Sequence, residues 1–261
     1  MPETDPPRFG SMTLDGFTAL LGSATPSPGG GAASAVAASC GAALVAMVAS
    51  LSVDRPKYAA YGASHARHGA AGRELATRLL ALADEDAAAY ATFAAALKLP
   101  RDTDAEKAAR TAAIRASARV AAEAPLRTLE ACRAVVIGSE ALAGRSNLNA
   151  ASDLAVASRL AEAAAHGAAE NVVVNLPSLG DAALADTMRG RMETLLLEIE
   201  ELAEATRAHV ERGELRDPEA DEAPSVVQDV GEDVGPVARE AASVVQDVVR
   251  DAGPVAREAA S

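Results

Sequence analysis

The chain has 261 residues, of which 49% are apolar and 2% aromatic, and its formal net charge is −13. This length and apolar fraction allow a large buried core, while the acidity excludes nucleic acid and anionic membrane surfaces as favourable partners. Alanine, the strongest helix former, dominates, and β-branched residues form no alternating runs. The composition therefore predicts an all-α bundle of long antiparallel helices.

The chain divides into a polar lead-in at 1–11, a helical domain at 12–212 and an acidic tail at 213–261. Within the domain, caps, prolines and apolar periodicity predict helices over 12–21, 31–53, 57–97, 103–142, 152–176 and 182–212. Pro125 should kink or split the fourth helix, because proline removes a backbone donor and clashes with the preceding turn.

The tail contains a tandem repeat of 18 residues, Ser225–Ala242 and Ser243–Ala260, which differ at three positions. Eighteen residues correspond to about five helical turns, so each copy is compatible with a short amphipathic helix. A mobile duplicated tail and an interaction appendage are both consistent with this pattern. We expect the tail to be loosely attached to the helical domain.

A glycine-rich turn, residues 26–31 with the sequence PSPGGG, directly precedes the long apolar run that starts at Ala32. Residues without a Cβ let a ligand touch the backbone, and the first N–H groups of a helix have no intrahelical partner. Such an end suits an anionic or carbonyl-rich ligand. The alternative is an ordinary loop before a helix.

Three consecutive carboxylates, Asp84, Glu85 and Asp86, interrupt the apolar pattern of the third predicted helix. Asp86 falls on the side shared with Leu79 and Leu82, which places one carboxylate against the core. A buried carboxyl group has a raised pKa and can exchange protons near neutral pH. The alternative is a solvated acidic patch.

Several other polar residues are candidates with weaker signals. Lys57 and Lys98 could bind a carboxylate-bearing substrate, or could be ordinary surface lysines. Asn147, Asn149 and Asp153 lie at a loop-to-helix junction, where helix caps are the usual role.

The histidines and cysteines predict no metal site. His65 and His68 lack metal-ligand spacing to other groups and are expected at the surface. Cys40 and Cys132 are expected to be small buried apolar residues in a reducing compartment. No charged and apolar leader opens the chain, so we expect a cytoplasmic protein.

The chain resembles the cyclodeaminase/cyclohydrolase family, which comprises the C-terminal half of formiminotransferase-cyclodeaminase and its free-standing bacterial relatives. The resemblance covers about Met12 to Arg212, with Ser27 and Ser146 departing from the expected threonine and glycine. The residues that carry it are, in order, Pro26–Gly31, Gly41–Ala49, Lys57-Tyr58, Asp84–Ala87, Lys98–Pro100, Pro125-Leu126, Asn149 with Ser152-Asp153, Asn171-Val172 and Asn175-Leu176.

The resemblance implies an all-helical homodimer that acts on tetrahydrofolate carrying a one-carbon unit, with no resident cofactor or metal. It implies that Asp86 is the acid–base group, with Asp84 as the second choice. It further implies a set of residues that bind the folate: Pro28, Gly29, Gly30, Gly31, Ser34, Lys57, Lys98, Asn147, Asn149 and Asp153.

Two reactions are open within this family. The cyclohydrolase adds water to 5,10-methenyl-tetrahydrofolate and gives the 10-formyl form, and the cyclodeaminase closes the formimino form with loss of ammonia. The chain contains no formiminotransferase half, which favours the cyclohydrolase. A non-catalytic helical binding or scaffold dimer is the alternative from another class.

Overall fold

The computed structural model describes residues 8–218 and Ser243, and in this part of the chain all regular structure is helical. Short 3-10 turns over Phe9–Ser11, Pro56–Tyr61, Leu148–Ala150 and Leu176–Leu179 connect the long helices. The α-helices are α1 (Leu14–Leu21), α2 (Gly30–Ser50), α3 (Gly62–Leu97), α4 (Asp104–Leu142), α5 (Ala151–Asn175) and α6 (Ala182–Arg212).

Local side-chain signals set the helix ends. Thr13 accepts a hydrogen bond from the N–H of Gly16, and Thr103 and Glu106 form a reciprocal capping box at the start of α4. Asp181 caps α6, which ends at Gly213 in the left-handed conformation. These starts and stops agree with the predicted elements to within a few residues, so the predicted all-α fold is confirmed.

Successive helices of the bundle run antiparallel, and α2 packs against α3, α4 and α5. Gly31 of α2 lies beside Asp86 of α3, whereas Gly72, earlier in α3, lies beside Ala42 and Ala46, later in α2. A Cβ at Gly72 would be 2.8 Å from the Ala42 carbonyl oxygen, so the backbones approach more closely than any side chain would allow. Small residues therefore bring α2 and α3 into direct contact.

The third helix starts later than its sequence pattern predicts. The segment Pro56–Tyr61 is a separate 3-10 turn, and α3 begins at Gly62 instead of Lys57. Tyr58 and Tyr61 are both buried. Residues three apart share one side of a 3-10 turn, so this tighter winding buries both rings where an α-helix would separate them.

Helix α4 continues through Pro125 without being split. Proline cannot donate to the carbonyl four residues earlier, which belongs to Ala121. The side-chain amide of Asn175, on α5, donates to this oxygen instead at 2.9 Å. A side chain from another helix thus satisfies the carbonyl that Pro125 cannot, and of the two predicted outcomes, a kink or a split, the split does not occur.

Two further sequence predictions are corrected. His65 and His68 are buried instead of lying at the surface, and His65 Nε2 lies 2.8 Å from the backbone oxygen of Arg145. His68 lies beside α4, where a Cβ built on Gly138 would be in ordinary contact with His68 Nδ1 at 3.8 Å. Cys40 is exposed, because it lies on the outward side of α2, whereas Cys132 is buried as predicted.

The segment that follows α6 is attached to the bundle as far as Asp217. Arg216 donates to the carbonyl oxygens of Glu140 and Ala143, and its own backbone oxygen accepts from the Tyr61 hydroxyl at 2.7 Å. The expectation of a loose tail from residue 213 therefore does not hold for its first five residues. The repeats lie outside the described residues, apart from Ser243, and so do residues 1–7.

Helix α2 is the one helix of the described chain that is long and apolar enough to cross a membrane. Of its most apolar window, 56% is buried inside the protein. Core helices of soluble proteins meet the same criteria of length and composition.

Candidate active site

The carboxylate of Asp86, on α3, packs against the first turn of α2. A Cβ built on Gly31 would lie 2.5 Å from Asp86 Oδ2 and 2.6 Å from Cγ, so only glycine leaves room for this carboxyl group. The N–H of Ala32 donates a hydrogen bond to the carboxylate. The glycine turn and the acidic cluster, which are more than fifty residues apart in the sequence, therefore form one site.

Burial raises the pKa of Asp86 from 3.8 to about 6, and the hydrogen bond from Ala32 partly opposes this rise. A carboxyl group with a pKa near 6 is ionised at neutral pH and is a stronger base than an exposed aspartate. Such a group can take a proton from a reacting molecule and return it within one cycle.

The neighbouring carboxylates serve other contacts. Asp84 accepts the backbone N–H of Phe9 at 2.8 Å and so fixes the N-terminal 3-10 turn on α3. Glu85 forms ion pairs with Arg78 at 2.6 Å and with the buried Arg127 at 2.5 Å. Within the triplet, Asp86 is the member that lines a cavity.

This cavity has a volume of about 360 Å³ and lies between the glycine turn, α3, α4 and α5. Its lining combines bare backbone, aromatic and aliphatic side chains, and polar groups, and none of the lining residues from the described part of the chain is lysine, arginine or histidine. The lining residues are Pro26, Ser27, Gly29, Gly30, Gly31, Asp86, Tyr90, Phe93, Ala121, Asn171, Val174, Asn175 and Ser178. We call this space the Asp86 cavity.

The structure brings some predicted site residues together at this cavity. Gly29, Gly30 and Gly31 line it with Asp86. Pro28 is buried next to it, and the Ser27–Pro28 peptide bond is cis. Ser34 lies one turn further along α2, where its hydroxyl donates to the Gly30 carbonyl at 2.8 Å.

Other predicted site residues lie at the opposite end of the bundle. Lys57 precedes α3, and about 36 Å of helix separates Gly62 from Asp86. The N–H of Asn147 donates to Ser52, just beyond the C-terminal end of α2. Asn149 and Asp153 follow directly and share this end, so within one chain these four residues do not meet the Asp86 cavity.

Lys98 is also separate from the cavity within one chain. It caps the C-terminus of α3 and is exposed. At about 1.5 Å per residue it lies about 18 Å beyond Asp86 along the helix direction.

Two asparagines also line the Asp86 cavity, although their sequence positions alone indicated no role for them. Asn171 and Asn175 lie one turn apart on α5, near the glycine turn, and a Cβ on Gly30 would be 3.7 Å from Asn171 Nδ2. The signal that could have found them is their spacing of four residues, which puts both amides on one face of a helix.

No group of three His, Cys, Asp or Glu side chains suited to a metal ion occurs in residues 8–218. The polar groups of the cavity comprise one titratable carboxyl group with amide and hydroxyl groups around it.

Comparison with known protein families matches residues 13–194 to formiminotransferase-cyclodeaminase. The chain belongs to this family. The match includes the glycine turn, the carboxylate triplet and both asparagines, so every residue that lines the Asp86 cavity lies in the family region.

Individual relatives in this family are similar over most of the chain. A methenyltetrahydrofolate cyclohydrolase of Methylorubrum extorquens is 37% identical over 75% of this chain and 94% of that protein. A formimidoyltransferase-cyclodeaminase of Rattus norvegicus is 32% identical over 71% of this chain. The match covers 34% of the rat protein, so the chain spans about a third of this bifunctional relative.

A solved structure shares the fold. The crystal structure of a formiminotetrahydrofolate cyclodeaminase from Thermotoga maritima superposes with a TM-score of 0.70 and covers 78% of this chain and 98% of that one. Its sequence is 24% identical, so this likeness bears on the fold alone.

Proposed function

We propose that the protein hydrolyses 5,10-methenyl-tetrahydrofolate to 10-formyl-tetrahydrofolate, with Asp86 as the acid–base group. The observation that carries the proposal is a carboxyl group with a pKa of about 6 that faces a cavity of about 360 Å³ beside bare glycine backbone. The similarity to the Methylorubrum extorquens cyclohydrolase over nearly the whole of that protein supports the choice of reaction.

The proposed reaction needs one proton to be removed from water and one to be delivered to nitrogen. The ionised Asp86 accepts a proton as the water oxygen bonds to the methenyl carbon, which becomes tetrahedral. Asp86 then donates this proton to N5 as the bond between N5 and the carbon breaks. The second proton of the water passes to solvent when the formyl carbonyl forms, so the cationic substrate yields a neutral formyl group.

The raised pKa of Asp86 suits this exchange, since an exposed aspartate would be a weaker base. The Gly31 and Ala32 backbone holds the carboxylate in place, so little of its orientation has to be fixed during the reaction. The cyclodeaminase reaction is the second candidate, supported by the similarity to the rat protein, because it passes through the same kind of tetrahedral carbon.

We propose that two copies associate through the outward face of α2. This helix contains no charged residue, and one side of it is exposed or half-buried. The residues of this α2 face recur every three or four positions over about 20 Å of helix. They are Ala33, Val36, Ala37, Cys40, Ala43, Leu44 and Met47. A continuous uncharged helix face of this length favours burial against an identical copy.

Such a pairing would also bring together predicted site residues that lie at opposite ends of a single chain. A two-fold axis near Cys40, the middle of α2, would place the N-terminal end of one helix beside the C-terminal end of the other. The end that carries Lys57 and Asn147 in one copy would then approach the Asp86 cavity of the other. This arrangement supports a role for Lys57 at the edge of the cavity, where it would bind a carboxylate of the substrate and not the reacting centre.

The test is a parallel assay of the purified full-length chain with two substrates. We expect 5,10-methenyl-tetrahydrofolate to lose its near-UV absorbance faster than in buffer, and Asp86→Asn to abolish this difference. Formation of the methenyl absorbance from 5-formimino-tetrahydrofolate, without the first reaction, would identify a cyclodeaminase. Absence of both reactions would reject an enzyme and favour the scaffold alternative.

We propose that the protein is located in the cytoplasm, where its two free thiols suit a reducing compartment.

A further inference from the structure

The amide groups of Asn171 and Asn175 have fixed orientations. Asn171 Nδ2 donates to the Gly167 carbonyl at 2.8 Å. Asn175 Nδ2 donates to two carbonyls, those of Ala121 at 2.9 Å and Asn171 at 2.7 Å. A reversed amide would place its oxygen against these carbonyl oxygens, so the nitrogen positions are determined by the contacts themselves.

Each amide therefore keeps its Oδ1 as the group available to a ligand. Among the residues that the structure describes, no donor is bonded to Oδ1 of either asparagine. The Asn175 orientation follows from Pro125, because the Ala121 carbonyl requires a donor that the helix does not supply. The amide side of the cavity thus offers hydrogen-bond acceptors to a ligand.

The charge of the cavity agrees with this polarity. Asp86 provides one negative charge, and its hydrogen bond from Ala32 offsets the positive end of the α2 dipole. Within residues 8–218, no cationic side chain is part of the lining. A positively charged group is consequently the ligand chemistry that the lining of a single copy fits best.

We infer that Asn171 and Asn175 are specificity residues that direct their Oδ1 atoms at the cationic N5–C–N10 unit of the substrate and distinguish it from the neutral formyl product. This inference rests on the proposed function. In the methenyl form the positive charge is shared by the bridging carbon and both nitrogens, and hydrolysis removes it. Fixed amide dipoles stabilise the cation without reorganisation, so they favour binding of substrate and release of product.

The experiment compares a cationic and a neutral folate in the full-length protein. The two readouts are KM for 5,10-methenyl-tetrahydrofolate and the inhibition constant of 5-formyl-tetrahydrofolate in the same assay. Asn171 is the position to change, because its amide bonds only to a carbonyl of its own helix. Asn171→Leu should raise KM about tenfold and change the inhibition constant less than twofold.

Two further variants separate this role from a structural one. Asn171→Ser keeps a donor for the Gly167 carbonyl and an acceptor oxygen without adding charge, so it should raise KM less than Asn171→Leu does. Glu170→Gln, at the exposed neighbouring position, should leave both constants unchanged. Equal changes in both constants for Asn171→Leu, or no change in either, would overturn the inference.

Whether the proposed function is correct is judged on its own, by the rate at which the wild-type protein hydrolyses the methenyl form. If the wild type does not hydrolyse the methenyl form, the same two folates are compared by calorimetric titration of wild type and Asn171→Leu. A selective loss of affinity for the cation would then uphold the inference without the hydrolase, and any other result would overturn it.

Discussion

The carboxylate of Asp86 occupies the space that a side chain on Gly31 would fill. A Cβ there would lie 2.5 Å from Oδ2, well inside any permitted contact. The atom that would be displaced belongs to the one carboxylate of the triplet that lines the cavity. The lack of a side chain at Gly31 and the position of the Asp86 carboxylate are thus one structural feature.

Gly31→Ala should therefore abolish most activity while the protein stays folded. The new methyl group pushes the Asp86 carboxylate away from Ala32, and a displacement of about 1 Å costs about 100-fold in rate. The measurement is kcat with 5,10-methenyl-tetrahydrofolate, together with a circular dichroism melt.

Gly190→Ala is the matched control for this substitution. A Cβ at Gly190 meets no atom within 4 Å, and Gly190 lies inside α6. Alanine should stabilise the helix by up to about 1 kcal/mol and leave the rate unchanged. Wild-type activity in Gly31→Ala would contradict the assigned position of Asp86.

The rate of hydrolysis should depend on the ionisation of Asp86. Because the pKa of this group is about 6 and the basic form is required, kcat/KM should be constant above about pH 7 and fall about tenfold per pH unit well below 6. A profile measured from pH 4.5 to 8.5 checks this expectation. A rate that stays level down to pH 4.5 would exclude Asp86 as the base.

Asp86→Asn should make the folded state more stable at neutral pH. An acid whose pKa is raised by folding binds its proton more tightly in the folded state, so its contribution is fully present below 3.8 and is lost as the pH rises to about 6. The asparagine has no such loss. The gain of the variant over wild type should therefore grow across this window and reach about 3 kcal/mol above it.

Urea unfolding at pH 4 and pH 8 measures this difference. The exposed Asp186→Asn is the matched control, and its free energy of unfolding should follow that of wild type at both values. If Asp86→Asn gained nothing between pH 4 and pH 8, the burial assigned to this carboxyl group would be incorrect.

Pro125 and Asn175 should be coupled in stability. Asn175→Leu leaves the Ala121 carbonyl without a donor, which costs about 1–3 kcal/mol for a buried group. In a Pro125→Ala background the alanine N–H can donate to this carbonyl within the helix, so the same change should cost less. A double-mutant cycle by urea unfolding gives the coupling energy, and a value of zero would mean that the two residues act independently.

Ala43→Glu should separate the proposed dimer. Ala43 lies in the middle of the uncharged α2 face, where burial of an unpaired carboxylate costs more than the contact provides. We expect light scattering to give twice the monomer mass for wild type and the monomer mass for the variant. Activity should fall with the mass if the second copy completes the cavity.

Ala183→Glu introduces the same charge at an exposed position on α6 and should change neither mass nor rate. A wild-type protein that is monomeric at assay concentrations and fully active would remove the α2 face from the proposal.

The helices and their ends could largely be predicted from the sequence, because caps and breaks depend on neighbouring residues. Thr103 with Glu106 and Asp181 act within one turn of the chain. The continuity of α4 through Pro125 could not be predicted, because the group that satisfies the Ala121 carbonyl comes from Asn175, on another helix. The burial of His65 and His68 was missed for a similar reason, since their surroundings, such as the Arg145 backbone oxygen beside His65, come from distant parts of the chain.

The candidate site divides in the same way. The glycine turn and Asp86 each stand out in the sequence, and their chemistry follows from residue type. That the two touch, and that Asn171 and Asn175 join them while Lys57 and Asn147 do not, follows from the antiparallel packing of α2, α3 and α5.

The sequence alone predicts local features, namely alanine-rich helices, their caps and a glycine-rich turn. Which carboxyl group is desolvated depends on the tertiary fold. Asp84, Glu85 and Asp86 have similar side chains and are adjacent in the sequence, but Asp84 accepts a hydrogen bond from Phe9, Glu85 pairs with two arginines, and Asp86 packs against Gly31. The physical reason is that desolvation, which raises the pKa of Asp86, depends on how closely other helices approach it.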